Sequence, residues 1–589
     1  MKITPATLSI HQLLASTNEQ FIIPAYQRRY SWGEKQWSDL YNDIHMLNQQ
    51  DTHLLGTILC LTSTYVAGVN QLEIVDGQQR TTTLTILLKA LSSRFKELNQ
   101  HEIEKEINSL LFCKGINRIL KRKVILGDLD DPDYNKIIDQ EDLELIVNKK
   151  LIESYYYFNQ KFKELNLEQL LEFHYKLVSN TYTIRLDVAN SKDAYKLFET
   201  INNRGLTLSP TDIIKNFLLG HASLIDSNVL EKVKNYWTQL IINLDGVKTD
   251  DFFRQYLSSI LKRKITGSTV IDEFKKYYFK SVIEAENLNE YYHYEETTKE
   301  LDEAEIEDGF KEDGSDSLII NNKMSIIEYA RILRDASYVY SKIRKQSFEN
   351  HDINYHLNNL SKIKSFPSYI FLLNLFQRDI SDKSKIEILK LIETFMLRRH
   401  VCEYRTAELD AIFASLINVE DNDMVTNVAN KLIKYLPNDN EFKEKFAKYS
   451  FKNNENRAKY VLETLEYYFI RDQGEYTLSS GANLHLEHII PQKIFTKRSK
   501  EEFGDWETYL GEDTNIHKEF VNRIGNFTLL ARSLNIIASN NPFKSKVIEY
   551  KKSNITLTKE LANYEIFRIQ QVIERSNTFA EKAVLLWRF

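Results

Sequence analysis

Two stretches near the C-terminal end decide the fold expected there: LEHIIPQK at residues 486–493 and NRIGNFTLLARSLNIIASNNPFKSK at residues 522–546. The first stretch places His488 in an apolar run typical of a strand end. In the second, Asn526 leads the apolar run FTLLA, which predicts another short strand. The segment PFKSKVIEYKK, which begins at Pro542, has the pattern of a helix. Two strands followed by a helix predict a ββα hairpin.

The first strand carries a candidate general base. His488 has the side chain that most often takes a proton from water near neutral pH. Asn526 is the candidate to fix its imidazole through a hydrogen bond. A Glu–His pair before a proline is equally typical of an ordinary strand end, so the downstream residues carry the argument. His485 is either a surface histidine or an additional ligand.

The remaining polar residues of the hairpin suit phosphodiester hydrolysis. Glu487 and Asn535 offer the hard oxygen ligands that Mg²⁺ or Mn²⁺ prefers. Lys544 or Lys546 would hold the scissile phosphate as a point charge. Lys544 is the first choice for that catalytic role, and Lys546 is then a DNA contact. Together these residues indicate a single-metal nuclease of the ββα type.

Composition sets bounds on this interpretation. The chain has 589 residues, 42% hydrophobic and 27% charged, with a formal net charge of −6. Any DNA contact must therefore come from local basic surface, because the whole chain is not basic. The three cysteines are far apart and form no zinc-binding pair. The N-terminal stretch lacks the pattern of a signal peptide, and no apolar run reaches membrane-spanning length, so we expect a cytoplasmic protein.

The pattern along the chain predicts an α+β, mostly helical fold in three domains. Residues 1–220 mix strands and helices, residues 221–460 read as successive helices, and residues 461–589 form a small terminal domain. The acidic segment 294–317 is predicted to be a solvated loop.

A second constellation lies in the first domain, at IVDGQQRTTTL (74–84). A strand is predicted to end at Asp76, Gly77 permits a tight turn, and a helix begins at the threonines. Free N–H groups and the positive dipole at a helix start suit a phosphate, and Arg80 would add a bidentate contact. A simple capped helix is the alternative. The candidate nucleotide-binding residues of this loop are Asp76, Gly77, Gln78, Gln79 and Arg80.

The segment IPAYQRRYSW (23–32) combines basic and aromatic groups that suit phosphates and stacked bases. The candidate DNA-binding residues are Gln27, Arg28, Arg29 and Tyr30. Packing is an equally good interpretation for Tyr26 and Trp32. Ser31 is predicted to cap the following helix in a capping box with Glu34. Farther along, FETINNRGLTLSPTDIIKNFLL (198–219) predicts a helix, a turn and a second helix capped by Ser209.

These motifs resemble a known family at both ends of the chain. The terminal EHIxP, GNxTLL, downstream Asn and FxxK elements resemble the HNN-type module of the HNH nuclease superfamily found in GmrSD-like restriction proteins. Glu487 stands where many members carry Asp, which keeps the oxygen donor. IPxYQRxYxW and DGQQR resemble the N-terminal domain of the same proteins, whose core is similar to the ParB/sulfiredoxin fold. That resemblance implies nucleoside triphosphate binding and hydrolysis at DGQQR. Asn203 and Arg204 would complete the pocket, with a plain turn between helices as the alternative.

The resemblance implies a type IV restriction enzyme with both modules in one chain. We expect an NTP-regulated, metal-dependent endonuclease that nicks or cuts double-stranded DNA. The DNA would be modified phage DNA or DNA marked by the host. Its cofactors would be Mg²⁺ or Mn²⁺ and an NTP, with GTP as the first candidate. A nucleotide-driven DNA-binding or signalling protein with an inactive HNH module is the alternative, and a non-specific toxin nuclease is another. The sequence leaves open the sensed modification, the effect of nucleotide on cutting, and whether the protein is a homo-oligomer.

Overall fold

The computed structural model describes residues 3–48, 50–66, 68–115, 119–202, 209–285, 323–470, 484–497, 501 and 504–589. The chain forms two compact units. Unit 1 comprises Met1–Arg254 and Thr266–Tyr338, and unit 2 comprises Gln255–Ile265 and Val339–Phe589. The division into three domains stays a prediction.

Unit 1 contains a six-stranded mixed sheet. Its strands are β1 (Ile3–Ser9), β2 (Glu19–Ile22), β3 (His53–Val66), β4 (Val69–Asp76), β7 (Val124–Ile125) and β8 (Thr181–Val188). β5 (Phe112–Lys114) and β6 (Leu120–Arg122) form a separate antiparallel pair. The order across the large sheet is β1-β8-β3-β4-β2-β7. β3 and β4 are antiparallel neighbours, whereas β2 runs parallel to β4 and β7.

The helices that lie in unit 1 or begin there surround this sheet. They are α1 (Ile10–Leu14), α2 (Glu34–His45), α3 (Gln78–Glu97), α4 (His101–Leu111), α5 (Asp131–Asp139), α6 (Lys149–Lys163), α7 (Leu167–Tyr175), α8 (Ser191–Asn202), α9 (Pro210–Ile225), α10 (Ser227–Asn243), α11 (Thr249–Leu261), α12 (Val270–Ser281) and α13 (Ile326–Lys345). α3 is buried along most of its length, because its leucines, threonines and Phe95 pack into the core. This central helix begins at the DGQQR turn, so the turn is fixed by the core behind it.

Two of the sequence predictions concern helix caps. Ser209 caps α9 as predicted, since its hydroxyl accepts a hydrogen bond from the Asp212 N–H at 3.2 Å. The predicted capping box of Ser31 is wrong. α2 begins at Glu34 with Gly33 in the cap position, and the Ser31 N–H is instead 2.9 Å from the Gln79 side-chain oxygen. A contact with α3, remote in sequence, therefore outweighs the local signal.

The described residues of unit 2 form helices and one hairpin. Its helices after α13 are α14 (His351–Lys362), α15 (Tyr369–Leu375), α16 (Asp382–Val401), α17 (Leu409–Leu416), α18 (Met424–Leu432), α19 (Asp439–Lys448), α20 (Glu455–Ile470), α21 (Trp506–Leu510), α22 (His517–Phe520), α23 (Arg532–Ala538), α24 (Phe543–Lys552), α25 (Thr556–Lys559) and α26 (Ile569–Leu586). β9 (Leu484–His488) and β10 (Phe527–Ala531) pair antiparallel. The predicted strand–strand–helix order is confirmed, because α24 covers the predicted helical segment after β10. The short helix α23 between them was not predicted.

The α+β, mostly helical fold class is also confirmed. The acidic segment 294–317 lies outside the described residues. No helix in the described ranges combines the length and apolar character that crossing a membrane requires.

Candidate functional site

The register of the β9–β10 hairpin separates the two neighbours Glu487 and His488. His488 pairs with Phe527, and Glu487 pairs with Thr528. Successive side chains on a strand point to opposite faces. Glu487 is buried at 6% exposure, whereas His488 keeps partial exposure. The two candidate catalytic residues therefore lie in different environments.

His488 lies at the end of β9 against an aromatic ring. Its imidazole packs edge-on to Phe527, with ring centroids 4.6 Å apart, and its Nε2 lies 3.5 Å from Asn522 Oδ1. Burial lowers the pKa of His488 to about 4, an effect that the Asn522 hydrogen bond opposes. The imidazole is consequently neutral at pH 7, which is the form that accepts a proton.

Asn526 does not orient the imidazole, so that prediction is wrong. Its side-chain amide donates to the carbonyls of Ile490 and Val521 at 2.9 and 2.8 Å. Its oxygen accepts a hydrogen bond from the Ile490 N–H at 2.9 Å. Both amide protons are used on backbone groups, and the residue is fully buried. Asn526 holds the chain that follows His488, and thereby positions the histidine indirectly.

Glu487 is not directed outward as a metal ligand, which corrects a second prediction. Its Oε1 receives hydrogen bonds from Lys546 Nζ at 2.6 Å and from the Tyr550 hydroxyl at 3.2 Å. Lys546 Nζ also lies 2.7 Å from the His488 carbonyl oxygen. Burial raises the pKa of Glu487 and lowers that of Lys546. The pair ties α24 to β9.

Lys546 therefore cannot serve as the predicted DNA contact, because its side chain is fully buried. Lys544, two residues earlier on α24, is exposed. The structure thus distinguishes two lysines that the sequence left as alternatives.

The hairpin offers a different donor for a cation. Asn535 lies on α23, and its Oδ1 is buried with no hydrogen-bond partner in the described part of the chain. His485 Nε2, on β9, is also buried without such a partner, which fits a ligand better than a surface histidine. Within the described ranges, no three His, Cys, Asp or Glu side chains are grouped to hold a metal. Asn535 Oδ1 is therefore a candidate oxygen donor, whereas Glu487 Oε1 is already engaged by Lys546 and Tyr550.

Sequence reasoning missed Asn522, the group that contacts His488. Its Oδ1 also accepts a hydrogen bond from Gln492 Nε2 at 3.3 Å. The residue opens the quoted stretch NRIGN, four positions before Asn526. The sequence does not show which of the two asparagines contacts His488, because this depends on the three-dimensional turn between them.

In unit 1, the DGQQR loop is a tight turn into α3. Gly77 has φ +96°, and a Cβ there would lie 3.1 Å from the Ile58 side chain. Arg80 Nη2 lies 3.5 Å from Asp76 Oδ2, and its Nη1 donates to the Leu55 carbonyl at 3.1 Å. Gly56, at φ +109°, leaves room for this guanidinium, since a Cβ would lie 2.1 Å from Nη1.

The two glutamines of the loop have different roles. The Gln79 oxygen accepts hydrogen bonds from the backbone of Ser31 and Trp32, and its amide donates to the Arg29 carbonyl. Gln79 therefore holds the QRRYSW segment against α3. The Gln78 oxygen is buried with no hydrogen-bond partner among the described residues. It is an available acceptor beside the loop.

The loop borders a cavity of about 430 Å³, within the size range of small-molecule sites. The residues that line it are Gln27, Arg28, Trp32, Gln36, Leu55, Val75, Asp76, Gly77, Gln78, Gln79, Arg80, Phe198, Asp212 and Lys215. Burial raises the pKa of Asp76, an effect that Arg80 opposes. The cavity brings together the predicted loop, the start of α3 and further charged groups from α9.

Those further groups are Lys215 and Asp212, which sequence reasoning missed. Lys215 Nζ lies 3.8 Å from Asp212 Oδ1, and Arg28 Nε lies 3.4 Å from Asp212 Oδ2. Burial lowers the pKa of Lys215, which Asp212 opposes. Both residues belong to the quoted stretch SPTDIIKNFLL, but only the packing of α9 brings them to the loop.

Three of the predicted DNA contacts are structural instead. Gln27 is buried, donates to the carbonyls of Ile74 and Val75, and accepts a hydrogen bond from Lys215. Arg29 is held by Asp130 and Asp245 at 2.7 and 2.9 Å. Tyr30 is buried, with its hydroxyl 2.8 Å from Thr83 Oγ1 and 2.8 Å from Trp37 Nε1.

Of the four predicted DNA contacts, Arg28 alone keeps a substantially exposed side chain, at 40%, and it lines the cavity. Asn203 and Arg204 lie outside the described residues, so their place in the pocket stays a prediction.

Comparison with protein families matches both ends of the chain. A family model described as the N-terminal domain of the GmrSD restriction endonuclease matches residues 10–219. A second, described as the C-terminal domain of GmrSD restriction endonucleases, matches residues 436–582. No curated protein matches the chain. The matched class is that of DNA endonucleases acting in restriction. Because the two segments span more than half of the chain, the protein belongs to the GmrSD restriction endonuclease family.

Proposed function

We propose that this protein is a metal-dependent DNA endonuclease of the HNH type, regulated by a nucleoside triphosphate, that restricts phage or otherwise modified DNA. The observation that carries the nuclease part is the neutral imidazole of His488 at the end of β9. The same hairpin contacts α23, where Asn535 Oδ1 has no hydrogen-bond partner among the described residues. The family implies a DNA substrate, and we propose that this DNA is double-stranded.

In the proposed reaction His488 accepts a proton from the attacking water. Asn522 steadies the imidazole, and Asn526 fixes the backbone behind it. Lys544, exposed on α24, would contact the scissile phosphate. Mg²⁺ or Mn²⁺, with Asn535 among its ligands, would neutralise the charge that develops on the phosphate.

The nucleotide part rests on the cavity at the DGQQR loop. The start of α3, Arg80, Lys215 and Arg28 supply positive potential for phosphates. Asp76 and Asp212 supply carboxylates, and Mg²⁺ is commonly bound by one or two carboxylates together with substrate phosphates. We propose hydrolysis of the triphosphate there, with GTP as the first nucleotide to test.

One observation favours the alternative of a nucleotide-driven DNA-binding protein whose hairpin is structural. Glu487, the acidic residue that the resemblance places at the metal, is engaged by Lys546 and Tyr550. A carboxylate neutralised in this way is a poor ligand. The two functions differ in one measurable property, which is whether His488 is needed for DNA cleavage.

The test is cleavage of plain plasmid and of glucosylated or phosphorothioated DNA, with Mg²⁺ or Mn²⁺, with and without GTP. We expect wild type to cut at least one of these substrates and His488→Ala to lose at least about 100-fold in rate, the lower end of what general-base catalysis contributes. His351→Ala, an exposed histidine of the same unit, is the matched control. If His488→Ala cuts as wild type does, the proposed site is wrong. Nucleotide turnover without any cleavage would favour the alternative.

A further inference from the structure

Helix α23 presents two adjacent, exposed aliphatic side chains. Ile536 and Ile537 are 67% and 55% exposed, and they directly follow Asn535 in sequence. Exposing large aliphatic side chains to water is unfavourable. Adjacent exposed ones therefore often mark a contact surface. The pair lies on α23, a helix that contacts both strands of the β9–β10 hairpin and α24.

The surroundings of this pair are positively charged. Residues 532–552 contain five lysines and arginines and one acidic residue, whereas the whole chain has 77 basic and 83 acidic residues. The one acid, Glu549, is buried and lies 2.6 Å from Lys552. Arg532, Lys544 and Lys551 are exposed. A cationic surface with an apolar centre is complementary to a nucleic acid, whose charged backbone flanks apolar base stacks.

We propose that Ile536 and Ile537 form a wedge that inserts between stacked base pairs from the minor groove, next to the bond that is cut. This inference rests on the proposed function. Arg532 and Lys544 would contact the flanking phosphates. Aliphatic side chains inserted in this way unstack a base step and bend the duplex. The bend would open the groove enough for the recessed His488 to approach the phosphate.

The first test measures unstacking directly. Duplexes carry 2-aminopurine at successive positions across the cut site mapped with wild type, and binding is followed in the His488→Ala background so that the DNA stays intact. We expect fluorescence to rise at one step next to the cut. The double variant Ile536→Ser/Ile537→Ser should remove this rise. Ile566→Ser/Leu585→Ser, two aliphatic side chains 50% and 60% exposed elsewhere in the unit, should preserve it.

The second test uses rescue. With His488 intact, the Ile536→Ser/Ile537→Ser variant should cut intact duplex about tenfold more slowly than wild type, because the unstacking step is no longer assisted. A substrate with a mismatched, already unstacked pair at the cut site should restore most of the rate. All four side chains are exposed, so circular dichroism should show an unchanged fold.

Several outcomes would overturn the wedge. The wedge is excluded if the serine variant equals wild type on intact duplex in both unstacking and rate. It is also excluded if the variant loses activity equally on intact and mismatched DNA. A change in oligomeric state by light scattering, without a change in fluorescence, would assign the pair to contact between copies of this chain. Cleavage that persists in His488→Ala is a separate failure, since it contradicts the proposed nuclease site whatever the isoleucines do.

Discussion

Lys544 and Lys546 lie two residues apart on α24, but only Lys546 is enclosed by protein. Lys546 compensates the buried carboxylate of Glu487 and binds the backbone of His488. Removing one partner of a buried ion pair leaves an uncompensated charge, which costs about 3–5 kcal/mol. An exposed lysine away from such a pair changes stability by about 0.5 kcal/mol or less. Replacing the two lysines should therefore affect different properties of the protein.

We predict that Lys546→Ala lowers the free energy of unfolding by about 3–5 kcal/mol, whereas Lys544→Ala leaves it nearly unchanged. Lys544→Ala should instead weaken DNA binding and reduce the salt dependence of log K by about one. Chemical denaturation and a salt titration of DNA affinity measure the two effects. If Lys544→Ala unfolds the protein while Lys546→Ala changes only DNA affinity, the assigned environments are reversed.

At the scale of an element, α9 carries a histidine that should make stability depend on pH. His221 is fully buried, with its ring 4.4 Å from that of Phe217 and 5.2 Å from that of Tyr278. Burial lowers the pKa of His221 to about 3, from about 6.5 in the unfolded chain. The unfolded state therefore binds the proton more strongly, and stability falls as pH drops from about 6.5 towards 3.

We predict that His221 makes unit 1 about 2 kcal/mol less stable at pH 5 than at pH 7. His221→Phe should remove most of this contribution, and urea unfolding at the two pH values measures it. His101→Phe is the control, because His101 is exposed, at 60% of its side chain. An unchanged pH dependence in His221→Phe would mean that the buried ring is protonated in the folded protein.

The elements themselves were largely predictable, because each depends on local pattern. The strands β9 and β10, the DGQQR turn and the Ser209 cap each follow from residues within a few positions. The site contacts depend on distant partners. Lys546 and Glu487 are 59 positions apart, and Lys215 and Gln27 are 188 apart. Within β9 the apolar residues Leu484 and Leu486 share one face, so alternation alone would expose Glu487, which is in fact buried.

At the scale of the whole molecule, the two candidate sites lie in separate compact units of one chain. The nucleotide cavity belongs to unit 1, and the ββα hairpin belongs to unit 2. Regulation of one site by the other therefore requires a coupling free energy, whatever the arrangement of the units. Such coupling is reciprocal for binding: if nucleotide changes DNA affinity by a factor, DNA changes nucleotide affinity by the same factor.

We predict this equality for the His488→Ala protein, in which DNA is bound and not cut. The ratio of DNA dissociation constants with and without non-hydrolysable GTP should equal the ratio of nucleotide constants with and without DNA. Fluorescence anisotropy and calorimetry measure the two ratios, and typical coupling corresponds to about 5–150-fold. Asp76→Ala in the same background should bring the DNA ratio to one, because the nucleotide site is lost. If both ratios equal one in the protein with Asp76 intact, nucleotide acts on the chemical step and not on DNA binding.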